Sequence, residues 1–265
     1  MKRRIPCYQV DAFAERLFEG NPAAVCVLAR WLPDDVMQRI AAEHNLSETA
    51  FLVPVEDRYQ LRWMTPVAEV DLCGHATLAS AFVVMTELRP TATLVRFQTR
   101  SGELSVEREG DRFWLDLPAR PPVAAEEPRF LTLGLGAQPE GVYEADHVVM
   151  AVFRGPDEVA DLYPDFGVLG KIRDRSVIAT APGADVDFVS RLFAPRLGVD
   201  EDPVTGSAHC TLTPYWAKRL SKAQLQARQL SERGGRILCE NHGRRVRLGG
   251  NAVLFSKGEV LLPEA

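Results

Sequence analysis

The chain carries 265 residues, 46% of them hydrophobic and 25% charged. That is the composition of an ordinary globular protein, with room for one large domain or two modest ones at about 150 residues each. A formal net charge of −5 supplies no overall positive field for phosphate backbones or anionic lipid, which argues against nucleic acid and membrane as partners. Five widely spaced cysteines, Cys7, Cys26, Cys73, Cys210 and Cys239, form no C-x-x-C pair, which speaks against a disulfide framework or zinc knuckle and for a reducing cytoplasm.

At the N-terminus Lys2, Arg3 and Arg4 have the look of a secretion signal, but Asp11 and Glu15 intervene before an apolar segment develops. Residues 35–44 read as an amphipathic helix with Val36, Met37, Ile40 and Ala41 on the face that packs on a sheet. A second helix is predicted over 75–88. It is apolar around its whole circumference, so it must be buried on all sides, and the uncharged window 72–86 around it is too short to span a membrane. Strands follow at 94–97, 104–107 and 113–117, separated by turns at Ser101-Gly102 and Gly110-Asp111. The stretch 118–128 is too rich in proline to continue a helix or a central strand, and it divides the chain into domains 1–117 and 118–265. In the second half a helix is predicted over 207–220. Pro214 in its interior is expected to kink it or to leave carbonyls for Ser or Thr side chains. Strands at 246–248 and 252–255 flank a turn at Gly249-Gly250.

The two halves repeat one plan. Arg62-Trp-Met-Thr-Pro66 with Val70-Asp71 recurs as Arg191-Leu-Phe-Ala-Pro195 with Val199-Asp200 at the same internal spacing. Upstream, Pro33-Asp-Asp-Val36 matches Pro156-Asp-Glu-Val159, and downstream Gly74-His75-Ala76 aligns with Gly206-Ser207-Ala208 after a three-residue insertion. The fold expected is α+β: two pseudo-symmetric domains, each a barrel-like, mostly antiparallel sheet wrapped around a central buried helix.

Both buried helices begin at a small-residue turn, Cys73-Gly74-His75-Ala76 and Thr205-Gly206-Ser207-Ala208. Each turn offers unpaired backbone N–H groups and a positive dipole end to an anion. With the halves related by a pseudo-twofold, the turns are expected to face one another across an interdomain cleft that takes a small carboxylated metabolite. The competing reading is that the glycines merely permit tight turns. Glu48, between a helix end and the apolar run 50–53, is placed where desolvation raises a carboxyl towards proton-transfer range, or else closes a helix cap. At a helix start His75 is favoured as neutral imidazole, or is a satisfied structural histidine. Asp202 precedes Pro203 and either caps the next turn or orients His75.

Other clusters are set aside. A Cys73, His75, His209 and Cys210 metal set is disfavoured because adjacent helical residues point about 100° apart, so no metal is assigned. Gly134-Leu-Gly136 lacks the G-x-G-x-x-G of a phosphate loop, and Arg244, Arg245 and Arg247 read as a solvated face.

Four segments carry a family resemblance: Gly20-Asn-Pro-Ala-Ala-Val25, Asn45-Leu-Ser-Glu48-Thr-Ala-Phe51, Leu72-Cys-Gly-His75-Ala-Thr-Leu78 and Asp202-Pro-Val-Thr-Gly-Ser207-Ala208. In order and spacing the chain resembles the PhzF-like (phenazine biosynthesis) family of the diaminopimelate epimerase-like superfamily. The resemblance implies a cofactor-free homodimer with its active site between two similar domains. It makes Glu48 the catalytic general acid/base and places His75, Asp202 and Ser207 around the substrate. The activity it implies is isomerisation by proton transfer. Epimerase relatives use a cysteine from each half; here Cys73 holds the first position but Thr205 the second, and a hydroxyl is far too weak an acid to replace a thiolate base. The alternatives are a Cys73-dependent dehydratase or epimerase of an amino or hydroxy acid, and an inactive metabolite-binding protein.

Overall fold

A computed structural model describes residues 2–172 and 175–263. The polypeptide divides into two compact units, Met1–Asp116 with Gly249–Ala265, and Leu117–Leu248. The chain leaves the first unit just before the proline-rich stretch, so the expected second half running to residue 265 is corrected: its last strand returns to the first unit.

The first unit contains β1 (Lys2–Ala12), β2 (Asn21–Val27), α1 (Asp34–His44), β3 (Glu48–Val55), β4 (Arg58–Met64), β5 (Glu69–Val70), α2 (Gly74–Val83), β6 (Leu94–Thr99), β7 (Gly102–Glu109) and β8 (Arg112–Pro118), which runs to the boundary. Neighbouring strands pair antiparallel except β2 with β3 and β4 with β6, which run parallel. α1 starts where Pro33 is followed by Asp34 and Asp35, and ends at Asn45 in the left-handed conformation, whose N–H bonds the Ala41 carbonyl. Its buried Met37, Ile40 and Ala41 pack with Ile5, Cys26, Leu28, Phe51 and Val53, and each large side chain contributes about 1.5–3 kcal/mol.

Packed on β1, β2, β3 and β7, α2 is buried at every position but Phe82, which is half-buried. Its hydroxyls turn inward: Thr77 donates to the Cys73 carbonyl at 2.5 Å and Ser80 to that of Ala76 at 2.7 Å. That frees the whole circumference for apolar packing. The helix predicted to 88 changes type near its end. Residues 84–88 form a π turn closed by Arg89 N–H on the Val84 carbonyl at 2.7 Å.

The second unit repeats the order with β9 (Val123–Ala124), α3 (Leu131–Leu135), β10 (Gly141–Ala145), β11 (Val148–Val152), α4 (Pro156–Ala160), α5 (Phe166–Leu169), β12 (Ser176–Pro182), β13 (Phe188–Ala194), β14 (Val199–Asp202), α6 (Gly206–Leu220), β15 (Gln224–Gln229), β16 (Gly235–Asn241) and β17 (Arg245–Gly250). Parallel pairing recurs at β11 with β12 and at β13 with β15. The repeated arginine makes a repeated ion pair, with a glutamate outside the repeated signature in each unit. Arg62 makes a two-pronged bond to Glu69 at 2.7 and 2.6 Å across β4 and β5, and Arg191 makes one to Glu201 at 2.8 Å through both nitrogens across β13 and β14.

β18 (Ala252–Pro263) closes the first unit by pairing antiparallel with β1, Ile5 opposite Val260. The expected turn at Gly249-Gly250 is instead the end of β17, where added Cβ atoms would meet the rings of Trp114 at 2.7 Å and Phe13 at 2.3 Å. Gly134 and Gly136 are explained by packing and capping: a Cβ on Gly134 would lie 2.5 Å from Leu169, and Gly136 ends α3 at φ 74. Among the described residues no helix is long and apolar enough to cross a membrane.

Pro214 sits in the continuous helix α6. The carbonyl it cannot serve, that of Cys210, accepts the backbone N–H of Arg120 at 2.8 Å, so the expected rescue by Ser or Thr side chains is replaced by a backbone donor from the proline-rich stretch.

Candidate active site

In the first unit Glu48 opens β3, and Cys73 and His75 occupy the N-cap and second position of α2. Glu48 is therefore a strand residue; the preceding helix is capped by Asn45. His75 is 2% exposed, and burial pushes its imidazole down to about 3, so it is neutral at physiological pH. Its two nitrogens have different partners. Nε2 lies 3.3 Å from Glu48 Oε2, while Nδ1 lies 3.1 Å from Asn21 Nδ2 and 3.5 Å from Cys73 Sγ. With Asn21 donating to Nδ1, the ring proton resides on Nε2, which lies near the carboxylate without an aligned hydrogen bond to it.

Sequence reasoning gave Asn21 no role, although it lies in the quoted Gly-Asn-Pro segment. Gly20 makes its placement possible. This residue sits at φ +69, and a Cβ there would lie 2.2 Å from the Ala12 carbonyl oxygen.

In the second unit Asp202 ends β14 and Thr205 is the N-cap of α6. The Thr205 hydroxyl donates to Asp202 Oδ2 within the turn before the helix. Gln229 completes this turn: its Oε1 accepts the Thr205 N–H at 2.9 Å, and its Nε2 donates to the Asp202 carbonyl at 2.6 Å. The signal for Gln229 in the sequence is a polar residue on the buried phase of β15, whose inward positions are Leu225, Ala227 and Gln229. Gly206, Ser207 and Ala208 form the first turn of α6, as Gly74, His75 and Ala76 form that of α2. The N-caps are equivalent, and so are the residues four places on. His209 Nδ1 donates to the Thr205 carbonyl at 2.7 Å where Thr77 donates to that of Cys73. His209 is fully buried and pushed down to about 4 by burial, against the opposing effect of that carbonyl.

Two clusters among the described residues bring three metal-capable side chains within 4.8 Å of one another, Glu48 with Cys73 and His75, and Cys7 with Cys26 and His44. In the first, His75 turns Nε2 towards Glu48 at 3.3 Å and Nδ1 towards Cys73 at 3.5 Å. His209 and Cys210 belong to neither cluster; Cys210 Sγ faces the Gly206 carbonyl at 3.8 Å, and burial pushes its thiol up to about 12.

Two α+β units of one topology, each with a buried helix entered through a small-residue turn, define the class of the epimerase-type folds. A hydroxyproline epimerase from Agrobacterium vitis shares this fold at a TM-score of 0.63 and 12% identity, covering 100% of this chain and 95% of the other. The model of the phenazine biosynthesis-like protein family (PhzC-PhzF) matches residues 10–258, and the chain belongs to that family. The chain is similar to an uncharacterized isomerase of Pseudomonas aeruginosa, 50% identical over 257 residues that cover 96% of this chain and 98% of the other. It is also similar to a solved PhzF-family protein from Enterococcus faecalis, with 46% identity, a TM-score of 0.93, and coverage of 97% of this chain and 99% of that one.

Proposed function

We propose that the protein is an isomerase that moves a proton between carbon atoms of a small carboxylated metabolite, without a cofactor, with Glu48 as general acid/base. The observation that carries this reading is the 3.3 Å approach of Glu48 Oε2 to Nε2 of a buried, neutral His75. A carboxylate beside a buried neutral imidazole can take a proton from one carbon and return it to another with no net change in the enzyme. The isomerase description of the Pseudomonas relative supports the reaction class. The backbone N–H groups of Gly74, His75 and Ala76 suit a carboxylate or the enolate-like charge that develops on deprotonation, and loss of one such donor typically costs about 10²- to 10³-fold in rate. Asp202, Thr205, Gly206, Ser207 and Ala208 are proposed substrate contacts on the strength of the family motif.

The test is Glu48→Gln assayed by deuterium incorporation from heavy water into a bound carboxylic acid. Exchange should fall at least about 10³-fold with ligand affinity nearly unchanged. A Glu48→Gln protein that exchanges at the wild-type rate overturns the assignment. Absence of exchange in the wild type with every acid that binds would leave a metabolite-binding protein.

A further inference from the structure

The second thiol–imidazole cluster belongs to no part of the proposed reaction. Cys7 on β1 and Cys26 on β2 are direct cross-strand partners, and their sulfurs lie 3.6 Å apart with Cys26 donating to Cys7. His44, the last residue of α1, brings Nε2 to 3.8 Å from Cys7 Sγ. Its other nitrogen, Nδ1, is held by the hydroxyl of buried Thr49 at 3.2 Å. Cys7 and His44 line a solvent-open pocket of about 260 Å³ together with Leu46, Ser256, Lys257 and Glu259. The two charged groups there are engaged elsewhere, Lys257 with Glu87 at 2.6 Å and Glu259 with Arg4 at 2.6 Å.

We propose that Cys7, Cys26 and His44 form a binding site for a soft, zinc-type divalent cation, with the fourth coordination position open to the pocket. Two of the three ligand–ligand distances fit the edges of a tetrahedral ion, and the third is no longer than 4.8 Å. Bond lengths of about 2.3 Å to sulfur and about 2.0–2.1 Å to nitrogen give ligand–ligand edges of about 3.8 Å between sulfurs and about 3.5 Å between sulfur and nitrogen. The observed 3.6 and 3.8 Å match those edges within the tenths of an ångström that a side chain can move. Two thiolates and one imidazole select soft cations over magnesium or calcium. The contact between Thr49 and Nδ1 is the outer hydrogen bond that fixes a ligating histidine with Nε2 towards the metal. Two thiolates also balance the charge of a divalent ion, so the buried site becomes neutral when filled.

The reduced full-length chain titrated with cobalt(II) tests this. One equivalent should produce a thiolate-to-cobalt charge-transfer band and the intense visible bands of a tetrahedral site, both removed by zinc. The bands should persist in Cys73→Ala, which dismantles the other cluster, and vanish in Cys7→Ala. Thr49→Val, nearly isosteric, should weaken binding about 10- to 100-fold. Zinc-edge X-ray absorption on the loaded wild type needs no variant to fold, and should show two sulfurs and one imidazole. A spectrum with no tetrahedral bands at stoichiometric cobalt, bands lost in Cys73→Ala, or a zinc shell with fewer than two sulfurs overturns the proposal.

Discussion

Cys73 Sγ and His75 Nδ1 lie 3.5 Å apart, and a Glu48 carboxylate oxygen lies within 4.8 Å of the same sulfur. A thiol and a carboxylate thus lie side by side at one imidazole, and either could take a proton from a carbon acid. The second thiol that a two-base epimerase needs is absent at the equivalent N-cap, where the Thr205 hydroxyl is committed to Asp202. Glu48→Gln should therefore lose far more turnover than Cys73→Ala. Steady-state rates of the two variants check the order, and its reversal selects the thiol-dependent dehydratase or epimerase.

His75 and His209 should make the protein acid-labile well above the carboxylate range. Each is buried neutral, pushed down to about 3 and about 4 respectively, so the folded state binds their protons less well than the unfolded chain, whose imidazoles titrate near 6.5. The stability at stake is intact above about pH 6.5 and is lost as pH falls from there towards those lower values. At pH 5 the loss reaches roughly 2 kcal/mol per histidine. Urea unfolding at pH 7.5 and pH 5 should show this difference, and His209→Gln, which keeps a donor for the Thr205 carbonyl, should remove about half of it.

The Arg120 N–H and the Cys210 carbonyl form a bond that exists because Pro214 cannot make it. Arg120→Pro should cost about 1–3 kcal/mol by leaving that carbonyl without a donor. Adding Pro214→Ala supplies the missing N–H from within the helix, so the double variant should recover most of the loss. A double-mutant cycle measured by urea unfolding reads the coupling directly, and additive losses would refute it.

Gly20→Ala should damage both fold and site. The new Cβ would lie 2.2 Å from the Ala12 carbonyl oxygen at a backbone φ of +69, which should cost at least about 2 kcal/mol. Because Asn21 follows directly and donates to His75 at 3.1 Å, the variant's folded fraction should also show a lower turnover number. Unchanged turnover per folded molecule would show that Asn21 holds its position without Gly20.

Sequence alone determined the features written in local pattern: the amphipathic face Met37-Ile40-Ala41, the all-round apolar helix after Gly74, its counterpart after Gly206, and the repeat that surfaces as the Arg62–Glu69 and Arg191–Glu201 pairs. Helical period, small-residue turns and motif spacing act over a few residues, so they can be read without a structure. The family motif likewise brought Glu48 and His75 to notice together, with Asp202 and Ser207. Tertiary structure alone decided which nitrogen of His75 meets Glu48, that Asn21 and Gln229 complete the two turns, and that β18 returns to β1. It also decided that Cys7 meets Cys26 and His44. These outcomes depend on strand register and on contacts between residues far apart in the chain, where a shift of one residue turns a side chain to the opposite face of the sheet.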